Sequence, residues 1–311
     1  MNDILSLDKH SKRRETKKRK IKLGIVGLDG HGPVFAREIN SNPYWRDKMR
    51  VSFAMPVRSP AVPEKILDVN IQEAAKLKIQ ITEFPEEIIE NSDCILILHD
   101  DGNAHKELVE IFAPSRKPLF IDKPLAANLN DAINIVNLLK KSDCPFFSSS
   151  CLRFAHKVQS LQSKAPENEI LSAITYSPYI ENFGIPGWLY YGIHAVEPLF
   201  AIMGSGCKTV RCLTDKFGAM AVGTWEDGRT GIAKGISEGK HSYGYNVWTK
   251  KENYFSEIEI DGIYSGLYKK FAHFAATSKP PVKPEETIEV LAFIDAAERS
   301  LKKNGQPENC L

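Results

Sequence analysis

The amino-acid sequence predicts an α/β fold in two parts: a doubly wound parallel sheet, then an α+β domain with an open mixed or antiparallel sheet. Up to about residue 150, short apolar runs alternate with helix-like stretches, the order that gives a parallel sheet wrapped by helices on both faces. Beyond it, glycine and aromatic residues dominate, and β-rich segments follow one another with few helices between. The first apolar run also enters a glycine turn and then a helix with Pro33 in its opening turn, a strand–turn–helix unit.

Taken in order, 22–27 is a short buried strand, and Phe35 and Ile39 share one face of the helix after it. Strands follow at 51–55, 81–84, 94–98, 119–121 and 145–148, with helices at 71–79, 104–112 and 130–139. In the second half, strands are expected at 170–176, 210–213, 220–225, 231–236 and 256–261. Helices are expected at 155–162, 197–203, 267–277 and 285–303, the last after Pro280-Pro281 and Pro284. The expected organisation is a basic tail over 1–20, a nucleotide-fold domain over 21–150 and a second, sheet-plus-helix domain over 151–311.

Charge supports this division. Residues 1–20 carry eight Lys/Arg against three Asp/Glu, a local +5 in a chain whose total is +2, so the tail reads as a solvated arm. It has no apolar core of a secretory signal, and no stretch approaches a bilayer span. Neither a nucleic-acid nor a membrane partner is expected. The six cysteines form no C-x-x-C pair and mostly sit among apolar neighbours, which points to a reducing compartment, the cytoplasm.

The turn Gly27-Leu28-Asp29-Gly30-His31-Gly32 matches the first and third glycines of a dinucleotide-binding fingerprint and places Asp29 at the second. An aspartate there adds bulk and negative charge beside two phosphates, while Gly30 restores some room. Any strand-to-helix connection favours glycine, so the turn alone leaves binding open. At the end of the second strand, Met55-Pro56-Val57-Arg58-Ser59 lacks the acid that selects NAD; Arg58 and Ser59 suit a 2′-phosphate, favouring NADP over NAD, or Arg58 is simply exposed. Lys123, in Asp122-Lys123-Pro124, closes an apolar strand, and the second half presents His194 in Tyr190-Tyr191-Gly192-Ile193-His194.

With these residues in hand, the chain resembles the Gfo/Idh/MocA family, which includes glucose–fructose oxidoreductases and inositol dehydrogenases. The resemblance runs over roughly residues 21–303. Asp122-Lys123-Pro124 resembles the family's Glu-Lys-Pro motif, and Asp100-Asp101-Gly102-Asn103-Ala104-His105 its polar turn ending in histidine. Leu152-Arg153-Phe154 resembles the pair opening the second domain, and Gly192-Ile193-His194-Ala195-Val196-Glu197 the glycine-x-histidine-x-x-acid segment. The Gly27-Leu28-Asp29 turn, with Phe147-Ser148-Ser149-Ser150, resembles a poorly characterised branch of it. One further departure is Tyr190, where the family often has aspartate; a phenol with an ordinary pKa of about 10 is a poor base at pH 7.

The resemblance implies an NAD(P)-dependent dehydrogenase or reductase acting on a sugar, polyol or related small molecule, with a homo-oligomer formed through the C-terminal sheet. In that frame Lys123, His194 and Tyr190 carry the chemistry: His194 takes the hydroxyl proton and Lys123 favours the developing alkoxide. Gly27, Asp29, Gly30, His31, Gly32, Arg58, Ser59, Asp101 and Lys123 border the cofactor, and Arg153, Tyr191 and Glu197 the substrate. The plainer alternatives are a packed or capping His194, an Arg153 paired with an acid and tyrosines that line a groove. Glu197 is placed to orient His194; the His-x-x-Glu pair has no third ligand, so no metal is expected. Two other readings stay open, a ligand-binding or regulatory protein without turnover, and a lyase using transient oxidation.

Overall fold

The computed structural model describes residues 19–59, 62–182 and 184–310. The basic tail lies outside them except for Arg19 and Lys20, which pair with Asp93 at 2.7 Å and Asp47 at 3.6 Å.

Six strands build the first sheet: β1 Ile21–Val26, β2 Met49–Met55, β3 Gln80–Ile81, β4 Cys94–Ile97, β5 Leu119–Ile121 and β6 Phe146–Ser148. Their order is β3-β2-β1-β4-β5-β6 and every pairing is parallel. β4, β5 and β6 are buried at every residue, which is why their sequence is apolar rather than alternating up to Ser148 at the end of β6, whose hydroxyl donates to the Asp122 carbonyl at 3.3 Å. The Leu129–Lys141 helix shows the local logic of the crossovers. Asn128 caps it by accepting from the Asp131 N–H, Ala132, Ile135, Val136 and Leu139 form its buried stripe, and Lys140 and Lys141 close it.

The third strand ends at Ile81, short of the expected 81–84, because Thr82 Oγ1 accepts from Phe84 N and Pro85 then opens the Pro85–Asn91 helix. The first helix, His31–Ser41, starts two residues before Pro33; the proline still sits in the first turn, where no intrahelical N–H is lost.

Seven strands build the second sheet: β7 Ile170–Pro178, β8 Cys207–Asp215, β9 Gly218–Trp225, β10 Thr230–Ile236, β11 Tyr243–Thr249, β12 Asn253–Ile258 and β13 Glu308–Asn309. The order is β12-β11-β7-β10-β9-β8-β13, with β7 and β10 parallel and the other pairs antiparallel. The Ile193–Met203 and Pro284–Lys302 helices pack on one face. β11 was not among the expected strands. Its Gly244 breaks the apolar pattern because the Tyr176 ring of β7 fills the space of a side chain, its hydroxyl 2.2 Å from where a Cβ would stand.

The two halves interlock. The Ser265–Thr277 helix, from the second half of the chain, packs on the first sheet: Phe271 meets Phe120 at 4.7 Å between ring centres, and Phe274 meets Phe147 at 5.0 Å. One aromatic core thus joins β5 and β6 to an element more than a hundred residues away in sequence, and the cleft between the sheets has firm walls.

Candidate active site

Gly27 follows β1, Asp100 and Asp101 follow β4, and Lys123 follows β5. β1 and β4 are neighbours whose crossovers run to opposite sides, the switch point where open parallel sheets bind ligands. Gly27 has φ +98°, a left-handed turn that favours glycine, and a Cβ there would stand 2.8 Å from the His99 nitrogen. At Gly32 a Cβ would meet the Gly27 carbonyl oxygen at 2.2 Å, so its absence lets the helix close on β1. These are the turn and packing roles of the first and third fingerprint glycines.

Asp29, at the second position, folds inward. It is 5% exposed, and one carboxylate oxygen accepts from the Asp100 N–H at 2.9 Å. Its other oxygen is buried without a protein partner among the described residues. Asp100 in turn lays its carboxylate on the bare face of Gly30, with both oxygens 2.0–2.2 Å from where a Cβ would be. The loop therefore fits a dinucleotide in its turn and its packing, with a carboxylate resting on its remaining open face. Burial and the neighbouring Asp29 push Asp100 up to about 6.

Lys123, His194, Tyr190 and Tyr191 converge with Gly30, His31 and Asp100 on a cavity of about 340 Å³, which Tyr243 and Tyr264 help to close. Lys123 is 8% exposed; its backbone N–H donates to Asp122 Oδ1 at 2.8 Å and its ammonium to the Tyr190 carbonyl at 3.2 Å. Asp122 also holds His31, Oδ2 to Nδ1 at 2.5 Å. Burial works against charge on both, yet their mutual attraction prevails, raising His31 above its ordinary value and holding Asp122 below its own. His31, Asp100 and Asp122 offer ligand atoms within 4.8 Å of one another, as a cation site would, but the His31–Asp122 pair and Lys123 already supply positive charge there.

The second half reaches the cavity through a π-helical turn, Trp188–Gly192, which runs into the Ile193–Met203 helix and carries Tyr190, Tyr191 and His194 on one wall. Ser150 Oγ meets His194 Nδ1 at 2.7 Å. Burial, followed by the Lys123 charge, drives His194 well below its ordinary value, so it is neutral at pH 7. Burial raises Tyr190, whose hydroxyl accepts from Asn182 at 3.2 Å, and the Tyr191 hydroxyl bonds that of Tyr243 at 2.8 Å.

Other expected site residues stand elsewhere. Arg153 and Glu197 do not line the cavity: the buried Arg153 guanidinium pairs with buried Glu197 and half-buried Glu286, its Nη2 has no hydrogen-bond partner among the described residues, and Glu197 also accepts from Ser149 at 3.3 Å. Ser150, not Glu197, holds His194. Asp101 turns into its own loop, accepting from the backbone and side chain of Asn103, and leaves the cavity to Asp100. Arg58 is exposed and pairs with Glu64 at 2.7 Å, while its carbonyl lies 3.2 Å from His99 Nε2. Ser59, next to it, is half-buried. A larger hollow of about 730 Å³ shares the Tyr264 wall but is lined by no residue at a strand end of the first sheet.

The family profile described as an oxidoreductase family with an NAD-binding Rossmann fold matches residues 21–150. Over these residues the chain is similar to the Gfo/Idh/MocA oxidoreductases. A myo-inositol 2-dehydrogenase of Thermotoga maritima is 28% identical over 148 residues, 48% of this chain and 41% of the relative. An uncharacterized oxidoreductase of Streptococcus pneumoniae is 23% identical over 207 residues, 61% of this chain and 52% of the relative. The matches thus span about half the length of these curated relatives or less. Among solved structures, a probable dehydrogenase from Thermotoga maritima superposes with a TM-score of 0.77 at 20% identity, over 93% of this chain and 99% of that one. The myo-inositol dehydrogenase of Lactobacillus casei, in complex with NAD(H) and myo-inositol, gives 0.76 at 14% identity, over 94% and 97%. The second half of the chain therefore shares the fold of these solved structures.

Proposed function

We propose that the protein is an NAD(P)-dependent oxidoreductase acting on the CH–OH group of a sugar, polyol or related small molecule. The observation that carries this is the convergence of Lys123 and His194, one from each half of the chain, on a cavity bordered by the nucleotide turn. Residues 21–150 would hold the cofactor and 151–311 most of the substrate wall, with Gly27, Gly30 and the start of the His31–Ser41 helix facing the diphosphate. When bound, a nicotinamide supplies the site that gives or takes the hydride.

The protein's own groups manage the oxygen. The Lys123 ammonium stabilises negative charge at the reacting oxygen, and the Asp122–His31 pair beside it fixes the local charge. Neutral His194 is in the form that accepts a proton; in the tautomer whose Nδ1–H donates to Ser150 Oγ, Nε2 carries the lone pair that would take it. Tyr190 and Tyr191 contribute hydroxyl contacts and an aromatic wall, and the raised phenol of Tyr190 argues for a donor rather than a base.

Arg58 and Ser59, with no acid at the end of β2, favour NADP over NAD. On the outer face of the second sheet Ile174, Ile232 and Val222 adjoin, with Asn246 between Ile174 and Phe255 (82% exposed), and these apolar groups support a homo-oligomer through that face. All six cysteines are buried and free, which supports a reducing compartment such as the cytoplasm. No helix of the described residues is long and apolar enough to cross a membrane. Fluorescence titration of the purified protein with NAD(H) and NADP(H) tests this reading. Saturable binding of either, tighter for the NADP pair, is expected; no binding of any of the four removes it.

A further inference from the structure

We propose that the Asp100 carboxylate holds the place of the cofactor's diphosphate, and that a dinucleotide binds only by exchanging with it. This deepens the oxidoreductase reading and rests on it. Gly30 caps the start of the His31–Ser41 helix and offers no side chain of its own to the free N–H groups there. Such a helix end is where a parallel nucleotide fold puts a diphosphate. Here the space above Gly30 is taken: the two Asp100 carboxylate oxygens stand 2.0 and 2.2 Å from the Cβ position, well inside any contact distance.

The occupant is built to leave. The backbone of Asp100 is fastened, its N–H held by Asp29, but its carboxylate makes no hydrogen bond among the described residues. It is the end of a short side chain resting on a glycine, so rotation about Cα–Cβ frees the face without moving the loop. The charge around it is unbalanced. Asp29 from the turn after β1 and Asp122 after β5 are negative; His31 at the helix start and Lys123 oppose them; Tyr190 and Tyr264 face it as neutral phenols. A diphosphate brings more negative charge into this set. With its pKa already pushed up to about 6 by burial and Asp29, Asp100 is the carboxyl that takes up a proton as the anion arrives. Cofactor affinity is then set partly by this one residue.

Isothermal titration of NADPH and NADH into the whole protein, in two buffers of different ionisation enthalpy, reads the exchange directly. The wild type should take up close to one proton per cofactor at neutral pH, and its affinity should fall by up to about tenfold per pH unit above the Asp100 pKa. Asp100→Asn should show no uptake and a flat profile. At neutral pH, about one unit above that pKa, it should bind about tenfold tighter, since roughly one wild-type molecule in ten is then competent. Asp100→Ser, which shortens the side chain, should behave like Asp100→Asn and guards against misfolding of either variant. Equal affinities for wild type and both variants, with no proton uptake, would overturn the exchange while leaving the oxidoreductase reading intact. Binding by the variants alone supports the exchange in its strongest form. Failure of all three folded proteins to bind either cofactor overturns it together with the cofactor reading.

Discussion

Two buried ionic groups, both foreshadowed by single residues in the sequence, have opposite designs. Arg153 is clamped between Glu197 and Glu286 away from the cavity, its charge matched by carboxylates, while its Nη2 has no hydrogen-bond partner among the described residues. Lys123 stands over the cavity with one carbonyl partner for its ammonium among the described residues, and the Asp122 carboxylate beside it is shared with His31. Burial of charge is costly in both places. In the first it is offset within the protein; in the second it leaves a cation facing space for a ligand. What separates the two is the partner's charge and the place: Arg153 meets carboxylates of its own protein, whereas the Lys123 ammonium meets a neutral carbonyl and faces the cavity.

That contrast predicts opposite phenotypes. Lys123→Ala and His194→Ala should each lower turnover by about 10²–10⁴-fold, the usual range for general acid–base groups, with little change in melting temperature. The double variant should be little worse than either single one, because groups acting on one oxygen are non-additive. If His194→Ala instead unfolds the protein, it belongs with Arg153. Arg153→Met should do the reverse, costing about 3–5 kcal/mol in denaturant unfolding by stranding the buried Glu197 carboxylate and the half-buried one of Glu286. Full activity per folded molecule should remain in that variant; a specific loss of turnover would return Arg153 to the substrate.

The two histidines of the cleft sharpen the comparison through pH. His194 has a folded pKa well below the ordinary 6.5, so the unfolded chain binds more protons and stability falls as pH drops below 6.5. The slope attributable to it is up to about 1.4 kcal/mol per pH unit, and His194→Gln should remove it. His31 is raised, so its contribution is full below 6.5 and is lost as pH rises through its folded value; His31→Gln should weaken the protein on the acid side. Parallel unfolding curves for the His194→Gln variant and the wild type would mean that His194 titrates normally. The smallest effect is expected at Arg58. Its pairing with Glu64 is exposed, and exposed charge contacts are worth about 1 kcal/mol or less, so Arg58→Ala should weaken NADP by roughly fivefold and NAD hardly at all.

Much of this was legible in the sequence, for physical reasons. β4, β5 and β6 are buried along their whole length, so apolar composition alone exposed them, and the residues just after β1 and β5 became site candidates by position. What stayed hidden depends on which way a side chain turns. Asp100 and Asp101 are identical neighbours, yet one faces the cavity and the other binds Asn103 in its own loop. Arg153 and Glu197 sit at family-like positions, but the second acid that Arg153 pairs with, Glu286, comes from a helix far along the chain. The Ser150–His194 and His31–Asp122 contacts join residues 44 and 91 positions apart, beyond any local pattern. β11 was masked by Gly244, whose missing side chain makes room for Tyr176.

The central claim is that Lys123 and His194 serve hydride transfer between a carbinol carbon and a nicotinamide. The direct measurement uses a panel of polyols and sugars carrying deuterium on their carbinol carbons, incubated with NADP or NAD and analysed for label in the cofactor. For at least one substrate the wild type should place deuterium on the reduced nicotinamide ring, and Lys123→Ala and His194→Ala should transfer almost none in the same time. Reduced cofactor without label, or label transferred equally well by both variants, would contradict the account.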